Sequence, residues 1–184
     1  MRVGAVVLAA GASTRLGEPK QLLMLGGETL LKRAVRVARE AGCSPVVVVL
    51  GASAASIQAV CDLGDAVIVM NEDWAEGMGS SVRVGVGVLR DLDGCVVTTC
   101  DMPAVTAAHL QSLMAKGEVT ASFYAGRRGV PAYFPVSAFQ SLMELHGDAG
   151  AKALLQLAPF VELAGGELDI DTAEDLERAR KMFG

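Results

Sequence analysis

The sequence predicts an α/β fold in three layers, a mostly parallel sheet with helices on both faces. Two observations lead there. Short β-branched runs alternate along the chain with stretches of helical periodicity, the pattern of a parallel sheet covered by its own crossovers. The runs are apolar throughout, as in Val46 to Leu50, which marks strands buried on both faces. Hydrophobic residues make up 52% of the 184 residues. No apolar run approaches the ~18 residues of a membrane span, so no membrane partner is expected.

The first strand is Val3 to Leu8. Its surroundings also have the arrangement of a secretory signal, with Arg2, an apolar stretch and then small residues. That stretch sits at the short end of the ~7–15 residues such signals use, so the buried strand is the better reading. A helix follows, with Leu30, Leu31, Ala34, Val37, Ala38 and Ala41 on one face, Thr29 as its N-cap and Gly42 as its stop. Strand Pro45 to Leu50, helix Ala54 to Cys61 and strand Ala66 to Met70 continue the alternation. After a polar loop, Ser80 or Ser81 is expected to cap a helix running to Leu89. Strand Cys95 to Thr99 leads into a helix over Ala107 to Ala115, for which Thr106 is the natural cap, and strand Thr120 to Tyr124 comes next. The run Ala132 to Phe134 lies between Pro131 and Pro135, and proline cannot donate to a ladder, so an edge strand is expected. Helix Ala138 to Leu145, a weaker strand Phe160 to Leu163 and helix Ala173 to Met182 complete the chain; Thr172 and Asp175 have capping-box spacing. With no long linker and no repeat, residues 1–184 are expected to form a single domain.

Sixteen basic residues against 21 acidic ones give a net charge of −5, against sequence-independent binding of nucleic acid. Cys43, Cys61, Cys95 and Cys100 show neither CxxC nor metal-ligand spacing. They read as reduced, buried thiols of a cytoplasmic protein.

Ligands of open α/β sheets bind beyond the carboxyl ends of the strands. The loop after Leu8 reads Ala9-Ala10-Gly11-Ala12-Ser13-Thr14-Arg15-Leu16-Gly17-Glu18-Pro19-Lys20. Small residues there let backbone N–H groups approach a phosphate, and Arg15 and Lys20 add two cations. It fits neither the Walker spacing nor G-x-G-x-x-G. On composition alone, a glycine-rich surface loop with two solvated bases is an equal reading. In the loop after Met70, Gly79, Ser80 and Ser81 are candidates for a nucleotide contact or for plain capping. Trp74 is a candidate to pack on substrate or to anchor the loop. Asp101 stands just past a buried strand, where Thr106 is better placed to cap the next helix; a hard oxygen ligand for Mg²⁺ suits it.

The segment from Leu8 to Lys20 resembles the signature loop of the MobA-like nucleotidyltransferases, with Leu16 where the family commonly has Met. Cys100-Asp101-Met102-Pro103 and the run Asp169 to Leu176 are similar to two further motifs of that family. The resemblance implies a Rossmann-like sheet of the nucleotide-diphospho-sugar transferase kind. It implies that Leu8, Ala9, Ala10, Gly11 and Ser13 wrap a triphosphate, with Gly79, Ser80 and Ser81 beside base and ribose. Arg15 then faces the departing pyrophosphate, Lys20 the α-phosphate, and Asp101 and Asp171 hold Mg²⁺. Gly126 to Pro131 and Leu145 to Lys152 resemble segments of molybdenum cofactor cytidylyltransferases that flank the acceptor, a pterin with a terminal phosphate. That brings Arg127, Gly129 and Asp148 forward as acceptor contacts; two arginines in a hairpin are also often merely solvated. The family usually has His where Val130 stands, a departure on the acceptor side. His146 reads as a helix-terminal polar residue.

Leu-Ala-Ala-Gly replaces the Leu-Ala-Gly-Gly typical of guanylyltransferases, tilting the expectation toward CTP. The methylerythritol phosphate cytidylyltransferases share Pro19-Lys20-Gln21 but lack this chain's Cys100-Asp101-Met102-Pro103. The expected activity is transfer of CMP from CTP to the terminal phosphate of molybdopterin, with a molybdenum-hydroxylase apoenzyme as the implied partner. The alternatives are a guanylyltransferase and a molybdenum-cofactor chaperone without catalysis.

Overall fold

The computed structural model describes residues 1–184, apart from the side chain of Ala149. β1 (Val3–Ala9) is buried along its whole length, as its unbroken apolar sequence requires. A loop and a 3-10 turn at Lys20–Leu22 lead to a small hairpin, β2 (Met24–Leu25) and β3 (Glu28–Thr29). α1 (Leu30–Glu40) begins at the expected cap, where the Thr29 hydroxyl accepts from the Lys32 N–H. β4 (Val46–Leu50), α2 (Ala54–Val60) and β5 (Val67–Met70) follow. α3 (Met78–Gly87) and β6 (Gly94–Thr99) come next. Thr106 caps α4 (Ala107–Met114), which leads to β7 (Thr120–Tyr124) and β8 (Arg127–Pro135). α5 (Phe139–Met143), α6 (Lys152–Leu155) and β9 (Phe160–Glu162) precede α7 (Ala173–Phe183). α7 carries the full capping box between Thr172 and Asp175.

The sheet has seven strands in the order β5-β4-β1-β6-β8-β7-β9. β1, β4, β5 and β6 are parallel, while β8 runs antiparallel to both its neighbours, so the sheet is mostly parallel. Alternate residues of β1 serve opposite faces. Val3, Ala5 and Val7 pack with Leu31, Ile57 and Leu110 of α1, α2 and α4. Val6 and Leu8 pack with Val82, Leu142 and Leu155 of α3, α5 and α6. This is the predicted three-layer sandwich. A third cluster, Leu25, Leu30, Ile170 and Leu176, seats α7 on the hairpin and so holds the segment before α7 in place. Truncating a fully buried member such as Leu31 to Ala is expected to cost about 2–5 kcal/mol.

Two expectations are corrected. Ala132 to Phe134 is not an edge strand: it belongs to β8, which lies between β6 and β7. Prolines are tolerated there because Pro131 sits where the β7–β8 register breaks and Pro135 closes the strand. Nor do Ser80 or Ser81 cap α3. The helix starts earlier, with Gly77 as N-cap and no side-chain cap bond. The Ser80 hydroxyl instead donates to the carbonyls of Asp73 and Gly77.

Candidate active site

The carboxyl ends of β1 and β6 lie side by side, with Leu8 paired to Thr99, so the loops that leave them share one edge of the sheet. Asp101 stands two residues beyond β6. Its carbonyl accepts from the Ile170 N–H at 2.9 Å, tying this loop to the segment before α7. That tie, with Ile170 buried beneath it, brings Asp171 to the same place.

Lys20 joins the two acids. Its Nζ lies 2.5 Å from Asp101 Oδ2 and 2.8 Å from Asp171 Oδ1, so the oxygens are no further apart than those distances together. Arg15 reaches the other Asp171 oxygen at 3.6 Å. Burial alone would lower the Lys20 pKa, but the charges and hydrogen bonds of Asp101 and Asp171 outweigh it and hold the ammonium well above its ordinary range. Asp169 lies near both acids. Burial, and then the nearby Asp101 and Asp171, push its carboxyl up to about 6.

The first loop is shaped from within. Gln21 is fully buried, and its amide nitrogen donates to the carbonyls of Ala9 and Gly11 at 2.8 and 3.2 Å. The Lys20 N–H donates to Ser13 Oγ, and Ser13 holds a left-handed φ of 53°, a conformation costly for serine. Gly11 has no positive φ, and a Cβ built on it meets nothing within 4 Å. Neither strain nor packing calls for glycine there, and the space above the loop is open.

Two cavities meet at Lys20, Met78, Thr99 and Asp101. The first, of about 370 Å³, is lined by Leu8, Ala9, Ala10, Gly11, Trp74, Ser81 and Asp148. The second, of about 400 Å³, is lined by Tyr124, Arg127, Gly129, Val130, Lys152, Asp169 and Asp171. The candidates therefore separate. Arg127 and Gly129 share the second cavity, and Val130 stands on its wall. Asp148 lines the first: it packs on Gly77, where a built Cβ would lie 2.4 Å from Asp148 Oδ1. Ser81 lines the first cavity but Gly79 and Ser80 do not, because Ser80 faces Asp73 and Gly77 and Gly79 packs under His146 and Gly147. Trp74 lines the first cavity. His146 lies outside both, 3.6 Å from Glu76, whose carboxyl the Arg83 hydrogen bonds hold at about 2.

Three residues at the site stand out only in the structure. Gln21 follows the motif lysine and showed only as part of a run. Buried Asn71 donates to both Ser80 and Ser81, a bracing role that polarity after a strand could have suggested. Asp169 was legible in the alternation Asp-Ile-Asp, since residues two apart on an extended segment share a face. Burial pushes the Cys100 thiol up to about 12, so no thiolate nucleophile stands beside Asp101.

Among the described residues no helix is long and apolar enough to cross a membrane, and the four cysteines are free and buried.

A parallel-sheet protein with a glycine loop, a lysine and paired acids at one strand edge falls in the class of nucleotide-handling α/β proteins. The family model for the MobA-like NTP transferase domain matches residues 5–165, and the chain belongs to that family. Nicotine blue oxidoreductase of Paenarthrobacter nicotinovorans is 32% identical over 193 residues, spanning 98% of this chain and 95% of the relative. A probable molybdenum cofactor guanylyltransferase of Opitutus terrae is 34% identical over 72% of this chain and 66% of its own. Among solved structures, Rv0371c of Mycobacterium tuberculosis H37Rv superposes with a TM-score of 0.88 at 33% identity over 98% of both chains. A structure of Rv0371c in complex with manganese has a TM-score of 0.81, at 30% identity over 98% of this chain and 99% of its own.

Proposed function

We propose that this chain, acting as a single cytoplasmic domain, transfers CMP from CTP to the terminal phosphate of a molybdopterin-type acceptor and releases pyrophosphate. One observation carries the reading: Asp101 and Asp171, distant in sequence, meet on Lys20 where two cavities join. One cavity then takes the nucleotide and the other the acceptor, with the reacting phosphates between them.

The donor set fits Mg²⁺. Two hard carboxylates with room for phosphate oxygens is the usual protein share of such a site. When bound by Asp101 and Asp171, the ion supplies positive charge to the phosphates. Backbone N–H groups of the loop from Ala9 to Ser13 hold the triphosphate. Lys20 offsets charge developing at the α-phosphoryl group, and Arg15, on an exposed stem, meets the departing pyrophosphate. The acceptor phosphate is already an anion, so no general base is required and catalysis is positioning plus electrostatics. Arg127 and the Gly129 backbone bind acceptor in the second cavity. A molybdenum-hydroxylase apoenzyme would receive the product.

Pyrophosphate release is measured with CTP and with GTP, with and without molybdopterin. Release with CTP and acceptor together supports the reading, and release with GTP alone among nucleotides makes it a guanylyltransferase. Acceptor binding without release from either nucleotide marks a chaperone and refutes catalysis.

A further inference from the structure

We propose that Arg127, Arg128 and Lys152 form a second anion subsite, which takes an anionic group of the acceptor other than the reacting phosphate. The inference deepens the transfer reading and rests on it for the identity of the ligand.

Three observations carry it. First, these cations line a cavity of about 440 Å³ whose other walls, Ala153 and Gln156, bear no charge. Second, among the described residues none of the three makes an ion pair, in a chain whose acids outnumber its bases and whose other clustered arginines are paired, as Arg36 is with Glu28 and Glu40. Three like charges left together cost electrostatic energy that a bound anion removes. Third, both arginines are pre-positioned. Arg128 lies over the Phe160 ring at 5.0 Å, and its Nε donates to the Ala158 carbonyl at 2.8 Å, leaving the guanidinium terminus free. Arg127 lies over Tyr124 at 5.6 Å. Stacked guanidiniums lose little further freedom on meeting an oxyanion.

The same three residues also line the cavity that holds Asp101, Asp169 and Asp171. The two spaces thus form one trough, with the acids at its inner end and unpaired cations at its outer end. An acceptor lying along it presents its phosphate to the inner end and a second negative group to the outer one. A molybdopterin-type acceptor carries a second anionic group beside its phosphate arm, the dithiolene, metal-loaded or free.

The probe is tungstate, titrated calorimetrically at low ionic strength into the nucleotide-free full-length protein. Lys152→Gln is expected to weaken binding about tenfold, as loss of one charge-assisted contact does, and Arg127→Gln with Lys152→Gln to weaken it further. Lys20→Gln should leave that site intact. Equal affinity in the double variant and the parent, or loss only in Lys20→Gln, overturns the proposal. In steady state, the double variant should raise the KM for molybdopterin and leave the KM for CTP unchanged; an unchanged acceptor KM also overturns it. Should no nucleotide yield pyrophosphate, the transfer reading falls, while the tungstate titration still decides the subsite.

Discussion

Replacing Lys20 by methionine keeps most of the side-chain volume but removes the ammonium between Asp101 and Asp171. The consequence can be worked from the geometry. Contacts of 2.5 and 2.8 Å to side chains 14% and 40% exposed put this triad between a surface pair and a buried one. Breaking a fully buried pair costs about 3–5 kcal/mol, and an exposed one is worth less than about 1. Because Asp171 is well solvated and Arg15 stays near it, about 2 kcal/mol is the expected loss. In a chain of this size that lowers Tm by roughly 4–8 °C. The two carboxylates, left facing one another, should then bind Mg²⁺ or Mn²⁺ more tightly than in the parent, where the ammonium competes for them. Thermal melts of parent, Lys20→Met and the pair Lys20→Met with Asp101→Asn, each with and without millimolar Mn²⁺, read both effects. Mn²⁺ should restore most of the Tm of the single variant and little of the double. A single variant that melts with the parent and ignores Mn²⁺ would show that the two acids share no cation site.

Further outcomes follow from other parts of the molecule. Asp101→Asn should lower kcat/KM in the pyrophosphate assay by 3–4 kcal/mol, on the order of several-hundred-fold, with the circular dichroism spectrum unchanged. Gly77→Ala combines a φ of 122° with a Cβ 2.6 Å from the Gly147 carbonyl carbon, so it should push the turn bearing Asp148 off the first cavity and raise the KM for CTP more than that for acceptor. His109 is buried with Nε2 2.7 Å from Ser122 Oγ, and burial lowers its pKa from the ordinary 6.5. The folded state then binds fewer protons than the unfolded one, so this contribution is complete above about pH 6.5 and declines as pH falls below it. Urea melts at pH 7.5 and 5.5 should show His109→Gln losing less stability than the parent over that interval, while equal losses would exclude the imidazole as the cause.

Much was legible from residue order alone, and for a physical reason: local signals have short range. The unbroken run Val46 to Leu50 specifies a strand buried on both faces, Thr29, Thr106 and Thr172 specify helix starts, and the loop from Leu8 to Lys20 carries its small residues and cations within one stretch; the equally apolar Val67–Met70 lies at the sheet edge and is mostly exposed. What lay beyond that range was decided by packing. Pro131 pointed to a sheet edge because a proline's missing donor is visible in sequence, whereas the register break that accommodates it exists only once β7 and β8 pair. Which cavity Asp148 borders is settled only when the absence of a side chain at Gly77 is seen to admit it beside the first. Ser80 looks like a cap until Asp73 and Gly77 claim its hydroxyl. The meeting of Asp101 with Asp171 depends on one backbone hydrogen bond from Ile170 and on α7 resting against the hairpin. Residue order supplied the chemical groups; only the tertiary structure determined which of them face one another, because contact between distant segments is set by how the whole core closes.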